Sequence, residues 1–222
     1  MNKRIRLVAG IDEAGRGSLI GPLVVAAVAA TPEKVRILRE LGVRDSKKLS
    51  RSRREAIYEE LTSMGLVIKF VKLPPSMIDR YARRMGGPGI NALEAYAAAA
   101  LVRRISPEVV YIDSPTRIAG QFANLIRNRL GKVRCRLICE HGADASRPIV
   151  SAASIIAKVV RDRAVERLKN MLGDFGSGYP SDKRTIRKAK ELLGAGKDVS
   201  SYMRMSWRTL DHLQPSLDDY WE

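Results

Sequence analysis

GIDEAGRG, Gly10 to Gly17, is the stretch on which the reading of the chain turns. An apolar run (Leu7, Val8, Ala9, Ile11) reaches two adjacent carboxylates, Asp12 and Glu13, breaks at Gly15-Arg16-Gly17, and resumes from Ile20 to Ala30. This pattern predicts a strand with an acidic end, a tight turn and a second strand. Neighbouring side chains on a regular strand point to opposite faces, so Asp12 and Glu13 share one metal or substrate only where the pleat ends or bulges. The glycines supply such an end. Gly15 and Gly17 also let backbone N–H groups approach a phosphate or sugar, with Arg16 adding charge between them. The alternative is a polar hairpin tip whose acids face water.

The 222 residues include 40 Lys and Arg against 24 Asp and Glu, a formal charge of +16, and 45% are hydrophobic. The apolar share excludes a disordered chain and the length allows a proper core. The charge points to a polyanionic partner, with nucleic acid ahead of an anionic membrane surface. The run from Ile20 to Ala30 is about half of what spans a bilayer, so no membrane partner is expected. Lys3, Arg4 and Arg6 imitate a signal-peptide start, but Asp12 and Glu13 interrupt its apolar core, and a cytoplasmic location is expected. Cys135 and Cys139 alternate with arginines in VRCRLICE, too far apart on one straight strand to form a disulfide. Buried thiols are expected. With only His141 and His212 as histidines, a Cys/His zinc site is not.

Along the chain, Ser50 opens a helix behind the basic segment GVRDSKKLSRSRRE, and Gly65 ends it before a strand from Leu66 to Leu73. Asn91 and Glu94 form a capping box for a long helix to Arg104, and a strand from Val109 ends in Asp113. Ser114-Pro115 starts another helix. The cysteine strand runs into Glu140-His141-Gly142-Ala143-Asp144, and Pro148 opens the longest helix, with Ser151, Ser154, Lys158 and Asp162 on one polar stripe. The last fifty or so residues hold GSGYPSD, a basic amphipathic helix and a tail with Trp207, His212 and Trp221.

Carboxylates therefore stand at or just beyond the ends of three strands: Asp12 with Glu13, Asp113, and Asp144. In a mixed α/β sheet, strand ends at one edge gather their loops into a shared site. A basic protein that clusters four acids needs something to offset their repulsion, and a divalent cation does so most simply. Hard oxygen ligands suit Mg2+ or Mn2+, and two such ions about 4 Å apart activate a water and stabilise the leaving oxygen in phosphodiester cleavage.

GIDEAGRG, GPLVVAAV, DSKKLS, YIDSP, EHGADASRPIVSAASIIAKVVRDR and GSGYPSD resemble, in that order, the motifs of ribonuclease HII, most closely its archaeal form, over residues 5 to about 185. The resemblance implies a ribonuclease H-like α/β fold, a central mixed sheet flanked by helices. It divides the chain into a catalytic domain over 1–175 and a helical substrate-binding region over 176–222. It implies an endonuclease using two divalent ions, Mg2+ or Mn2+, that cleaves the RNA strand of RNA/DNA hybrids and incises 5′ of ribonucleotides embedded in duplex DNA, leaving 3′-hydroxyl and 5′-phosphate ends. The family's four acidic ligands fall on Asp12, Glu13, Asp113 and Asp144. Its element that reads the ribose 2′-hydroxyl falls on Gly15, Arg16 and Gly17, and its sugar-packing tyrosine on Tyr179. By analogy the DSKKL block (Asp45, Ser46, Lys47, Lys48) and the Ser151, Ser154, Lys158 stripe are candidate backbone contacts.

The chain departs from the family pattern at Ser146-Arg147 and matches it only loosely in RMSWRTL. Asp144 stands where ribonuclease HIII has a glutamate. His141 is either a proton shuttle beside Asp144 or a plain loop histidine. A monomer is expected, and a clamp-type partner is allowed although the tail SLDDYWE carries no clear clamp-binding peptide. Two rivals remain: a non-catalytic nucleic-acid-binding module, and another nuclease of the same fold that cuts all-DNA substrates.

Overall fold

The computed structural model describes residues 6–40, 49–196 and 198–213. In chain order the elements are β1 (Val8–Ala14), β2 (Leu23–Ala30), α1 (Pro32–Glu40), α2 (Arg51–Ser63), β3 (Val67–Leu73), α3 (Pro75–Tyr81), α4 (Ile90–Ile105), β4 (Val109–Asp113), α5 (Ala119–Leu130), β5 (Arg136–Glu140), α6 (Ala143–Ser146), α7 (Pro148–Leu172) and α8 (Lys183–Gly194). The five strands form one mixed sheet in the order β3-β2-β1-β4-β5, with β1 antiparallel to β2 and parallel to β4, and β4 parallel to β5. This is the expected sheet. Among the described residues no helix is long and apolar enough to cross a membrane.

The chain divides into two compact units. The first takes Met1–Ala14, Val24–Val71 and Asn91–Val160, and the second Gly15–Leu23, Lys72–Ile90 and Arg161–Glu222. The boundary expected at residue 175 falls inside the second unit, which also draws in the glycine turn after β1. Small residues let the first unit pack tightly. A Cβ at Gly10 would stand 2.3 Å from the Ile149 carbonyl oxygen, so only glycine admits α7 this close to β1. Val24, Ala26 and Val28 of β2, with Ile149, Ala153, Ile156 and Val160 of α7, lie in the core of this unit. The second unit has its own core, in which Leu19, Ile20, Val165, Phe175, Ala189, Met203 and Leu210 are buried together.

Several local expectations shift. Ser114-Pro115 does not begin a helix, because α5 starts only at Ala119. The Ser114 hydroxyl lies 3.2 Å from that of Thr116, which donates to the Ile118 carbonyl at 2.9 Å; side chains that bond nearby backbone compete with a helical turn. Asn91 lies inside α4 rather than capping it. The second strand begins at Leu23, because Gly21 takes φ 96° and Ile20 bridges Met203 instead. Ser50 does cap α2, accepting from the Arg53 N–H at 3.2 Å. Cys135 and Cys139 are free and half-buried, and burial raises both thiols, Cys139 to about 11.

Candidate active site

Strand register brings the acids together. β1 and β4 pair with Ile11 opposite Ile112, so Asp12 and Asp113 follow at the same level, and Asp113 in turn pairs with Glu140 of β5. Beyond Glu140 the chain turns through Gly142 in the left-handed region (φ 65°) into the one-turn helix α6. Asp144 is thus a buried helix residue and not a loop acid. One carboxylate oxygen each of Asp12, Asp113 and Asp144 lie within 4.8 Å of one another.

Asp12 and Asp113 are held by backbone and side-chain donors. Asp12 Oδ1 accepts from the Glu13 N–H at 2.8 Å, and Asp113 Oδ1 accepts from the Ala143 N–H at 2.9 Å, which ties β4 to the start of α6. Ser154 of α7 hydrogen-bonds the Asp12 side chain. Burial pushes the Asp12 carboxyl up to about 7, and the neighbouring charges of Asp113 and Asp144 push the same way, against the Ser154 and Glu13 hydrogen bonds. The site therefore concentrates negative charge that its own donors do not fully offset.

Glu13 stands outside this group of three. The β1–β2 ladder runs unbroken through Asp12 opposite Ala26 and Glu13 opposite Val25, so no bulge turns the two acids to one face. Of the serine and lysine stripe, Ser151 and Ser154 are buried, while Lys158 is partly exposed and donates to the Ser154 hydroxyl at 3.0 Å. His141 is exposed. Asp45, Ser46, Lys47 and Lys48 lie outside the described residues.

Arg147, at the departure from the family pattern, is anchored on both sides. It donates to both carboxylate oxygens of Glu140, at 3.0 and 2.8 Å, and its guanidinium sits 4.7 Å over the Tyr111 ring. It spans β5 and the residues just after α6, the short stretch that carries Asp144.

In the second unit the glycine turn keeps a different company. Gly15 takes φ 88°, Gly17 is exposed, and a Cβ at Gly17 would meet the Tyr179 ring at 4.0 Å. Two buried arginines, neither singled out by sequence, adjoin this turn. Arg161 donates to the Ser177 carbonyl at 2.6 Å and lies 4.7 Å over the Tyr179 ring. Arg204 donates to the carbonyl oxygens of Gly15 and Arg16 and to the Ser18 hydroxyl. Asp79 of α3 is buried and accepts from the N–H groups of Met205 and Ser206, at 2.8 and 3.0 Å. Only the partial RMSWRTL match pointed toward Arg204.

Comparison with known proteins agrees with this geometry. The profile of the family described as Ribonuclease HII matches residues 9–210. The ribonuclease HII of Archaeoglobus fulgidus is 45% identical over 213 residues, 96% of this chain and 99% of its own. The structure of the PCNA:RNase HII complex from the same organism aligns with TM-score 0.82 at 44% identity, covering 96% of this chain and 99% of that one. Ribonuclease H2 from Pyrococcus horikoshii OT3 aligns with TM-score 0.83 at 40% identity, covering 93% and 96%. The mixed sheet is accordingly that of a ribonuclease H fold.

Proposed function

The chain belongs to the ribonuclease HII family, enzymes that hydrolyse RNA in RNA/DNA hybrids, and from that premise we propose that it also incises duplex DNA 5′ of embedded ribonucleotides, by a two-metal-ion mechanism leaving 3′-hydroxyl and 5′-phosphate ends. The observation that carries the proposal is the group of three carboxylates within 4.8 Å, with Asp12 held up near pH 7 by burial and by its neighbours. All-oxygen donors at that spacing fit hard divalent cations such as Mg2+ or Mn2+. When bound, such ions supply the charge that offsets the acids and the phosphate, and the acidity that readies a water for attack.

The chain's own residues have distinct tasks. Asp12 is the central ligand, aimed by the Glu13 N–H and Ser154. Asp113 and Asp144 would be further ligands, and the Ala143 N–H bond to Asp113 ties their two segments together. Glu13 completes the set from the next position of β1. Gly15, Arg16 and Gly17 read the ribose 2′-hydroxyl, the one group that tells RNA from DNA at a given site, and Tyr179 packs on the sugar that follows. Lys158, being accessible, is a backbone contact, as are Ser46 and Lys47. The buried Ser154 accepts from the Lys158 ammonium and steadies it. The basic residues of 176–222 add grip on the duplex. The protein acts as a monomer, and a sliding clamp is the protein partner suggested by the PCNA complex of the Archaeoglobus fulgidus relative.

The test is cleavage of a DNA duplex carrying one ribonucleotide beside an all-DNA control, in Mg2+ or Mn2+ against chelator, wild type beside Asp144→Asn. Metal-dependent incision 5′ of the ribonucleotide, lost in the variant and absent on the control, is expected. Tight binding without incision in either metal would leave a binding module as the better account, and incision of the control would point to a DNA nuclease.

A further inference from the structure

Arg204 has no part in the reaction steps above, yet it is the largest side chain with no exposed surface in the described residues. Its guanidinium donates to the carbonyl oxygens of Gly15 and Arg16, to the Ser18 hydroxyl at 2.9 Å and, at 3.4 Å, to the Gly21 carbonyl. It also lies 4.7 Å over the Trp207 ring. These four acceptors are uncharged oxygens of one short segment. Burying a guanidinium is costly unless acceptors meet its donors, so filling space does not by itself account for an arginine here. What the rigid fork of donors adds is direction.

That direction has a consequence on the far side of the turn. The peptide bonds are trans, so each carbonyl and the following N–H point to opposite sides. Holding the Gly15 and Arg16 carbonyls on the guanidinium turns the N–H groups of Arg16 and Gly17 away from it. Gly15 is buried whereas Gly17 is exposed, so the turn reaches solvent at its Gly17 end. Two successive N–H groups facing outward form a small concave donor site suited to an oxygen acceptor.

We infer that Arg204 determines the discrimination between ribose and deoxyribose, as a positioning residue that fixes these two N–H groups before substrate arrives. The inference rests on the reading of Gly15-Arg16-Gly17 as the 2′-hydroxyl element. Arg204 is itself immobilised: its N–H donates to the Leu19 carbonyl at 2.9 Å, Met203 bridges Ile20, and Asp79 pins Met205 and Ser206. Arg161 braces the turn from a second direction. Its Cγ comes within 3.3 Å of the point where a Gly15 side chain would begin, while its guanidinium holds the Ser177 carbonyl and the Tyr179 ring. The C-terminal segment therefore has a task apart from gripping the duplex: it sets the backbone that reads the sugar.

The test measures binding in an Asp144→Asn background, where incision does not interfere. Affinities for a duplex with one ribonucleotide and for the same duplex entirely in DNA give a discrimination ratio. Arg204→Lys keeps the charge and loses the fork, and lowers the ratio about tenfold, the size of one hydrogen bond, with the all-DNA affinity held within about twofold. Ser18→Ala removes one Arg204 acceptor together with the hydroxyl's own bond to the Gly15 carbonyl, loosens the same turn and lowers the ratio about threefold; Arg204→Gln, which keeps a planar donor without the fork, takes the place of Arg204→Lys if that variant does not fold. Equal weakening on both duplexes, or an unchanged ratio in both variants, overturns the inference. Gly17→Ala tests the premise separately, since its methyl has room beside Tyr179 and screens the backbone. A ratio untouched by Gly17→Ala defeats the reading of the turn itself. A ratio lowered by Gly17→Ala but not by the Arg204 and Ser18 variants defeats only the role of Arg204.

Discussion

Asp12, Asp113 and Asp144 crowd three carboxylates within 4.8 Å, two of them buried, whereas Arg161 and Arg204 bury two guanidiniums against carbonyl oxygens and aromatic rings. In the first region like charges face one another and the protonation of Asp12 is displaced to about 7. In the second, each charge meets acceptors that the fold itself provides. The acid cluster thus gathers like charge that an outside divalent cation would offset. The arginine region meets carbonyl acceptors of its own fold and serves to hold shape. Function that needs an added ion and function that needs a rigid reader call for opposite electrostatics.

Neutral replacements separate the two most strongly. Asp12→Asn or Asp144→Asn should lower the incision rate about a thousandfold or more in Mg2+, while circular dichroism shows the fold retained. In the absence of divalent cation the Asp12→Asn melting temperature at pH 8 should equal or exceed that of wild type. A matching loss of stability would mean that the acids are structural.

The pH dependence follows from Asp12. Unfolded, its carboxyl loses the proton near 3.9; folded, it keeps it to about 7. The folded state therefore binds the extra proton between these values, and the cation-free protein loses stability as pH rises from about 4 to about 7, by on the order of 4 kcal/mol. Chemical denaturation across that range checks the slope. Millimolar Mn2+ should restore stability more at pH 8 than at pH 5, because at low pH the ion competes with the proton.

Arg204→Met should act in the opposite sense, lowering stability by about 2 kcal/mol at all pH values by leaving buried carbonyls without donors, with no change in Mn2+ affinity. Urea denaturation beside a Mn2+ titration checks both halves. The smallest effect is expected at Arg147. Its ion pair with Glu140 is partly exposed, so Arg147→Ala should cost less than about 1 kcal/mol in melting experiments. A few-fold weaker Mn2+ affinity should accompany it if the clamp over β5 and α6 steadies Asp144.

Much of this was legible in the chain. Alternation and glycine punctuation located the strands, and acids at three strand ends foretold a shared edge. The tertiary reason for Gly10 was not legible, because the approach of Ile149 depends on a helix that begins far along the sequence. The helical setting of Asp144 was missed because a single turn leaves no periodicity to read. Ser154, placed on a polar stripe, proved to be buried against Asp12, since stripe membership does not say whether a hydroxyl meets solvent or a neighbour. Arg161 and Arg204 were hidden among 40 basic residues. A cation in a basic chain reads as surface charge until contacts show otherwise, and the acceptors of Arg204 are backbone carbonyls, which no side-chain pattern announces.

The measurement that bears most directly on the acid cluster as the metal-dependent centre is calorimetric titration of Mn2+ into wild type and Asp144→Asn at pH 6.5, in buffers of different ionisation enthalpy. Saturable binding to wild type that releases protons, and its loss in the variant, is the predicted result. Wild-type binding that persists unchanged in Asp144→Asn, or no binding at all, would contradict it.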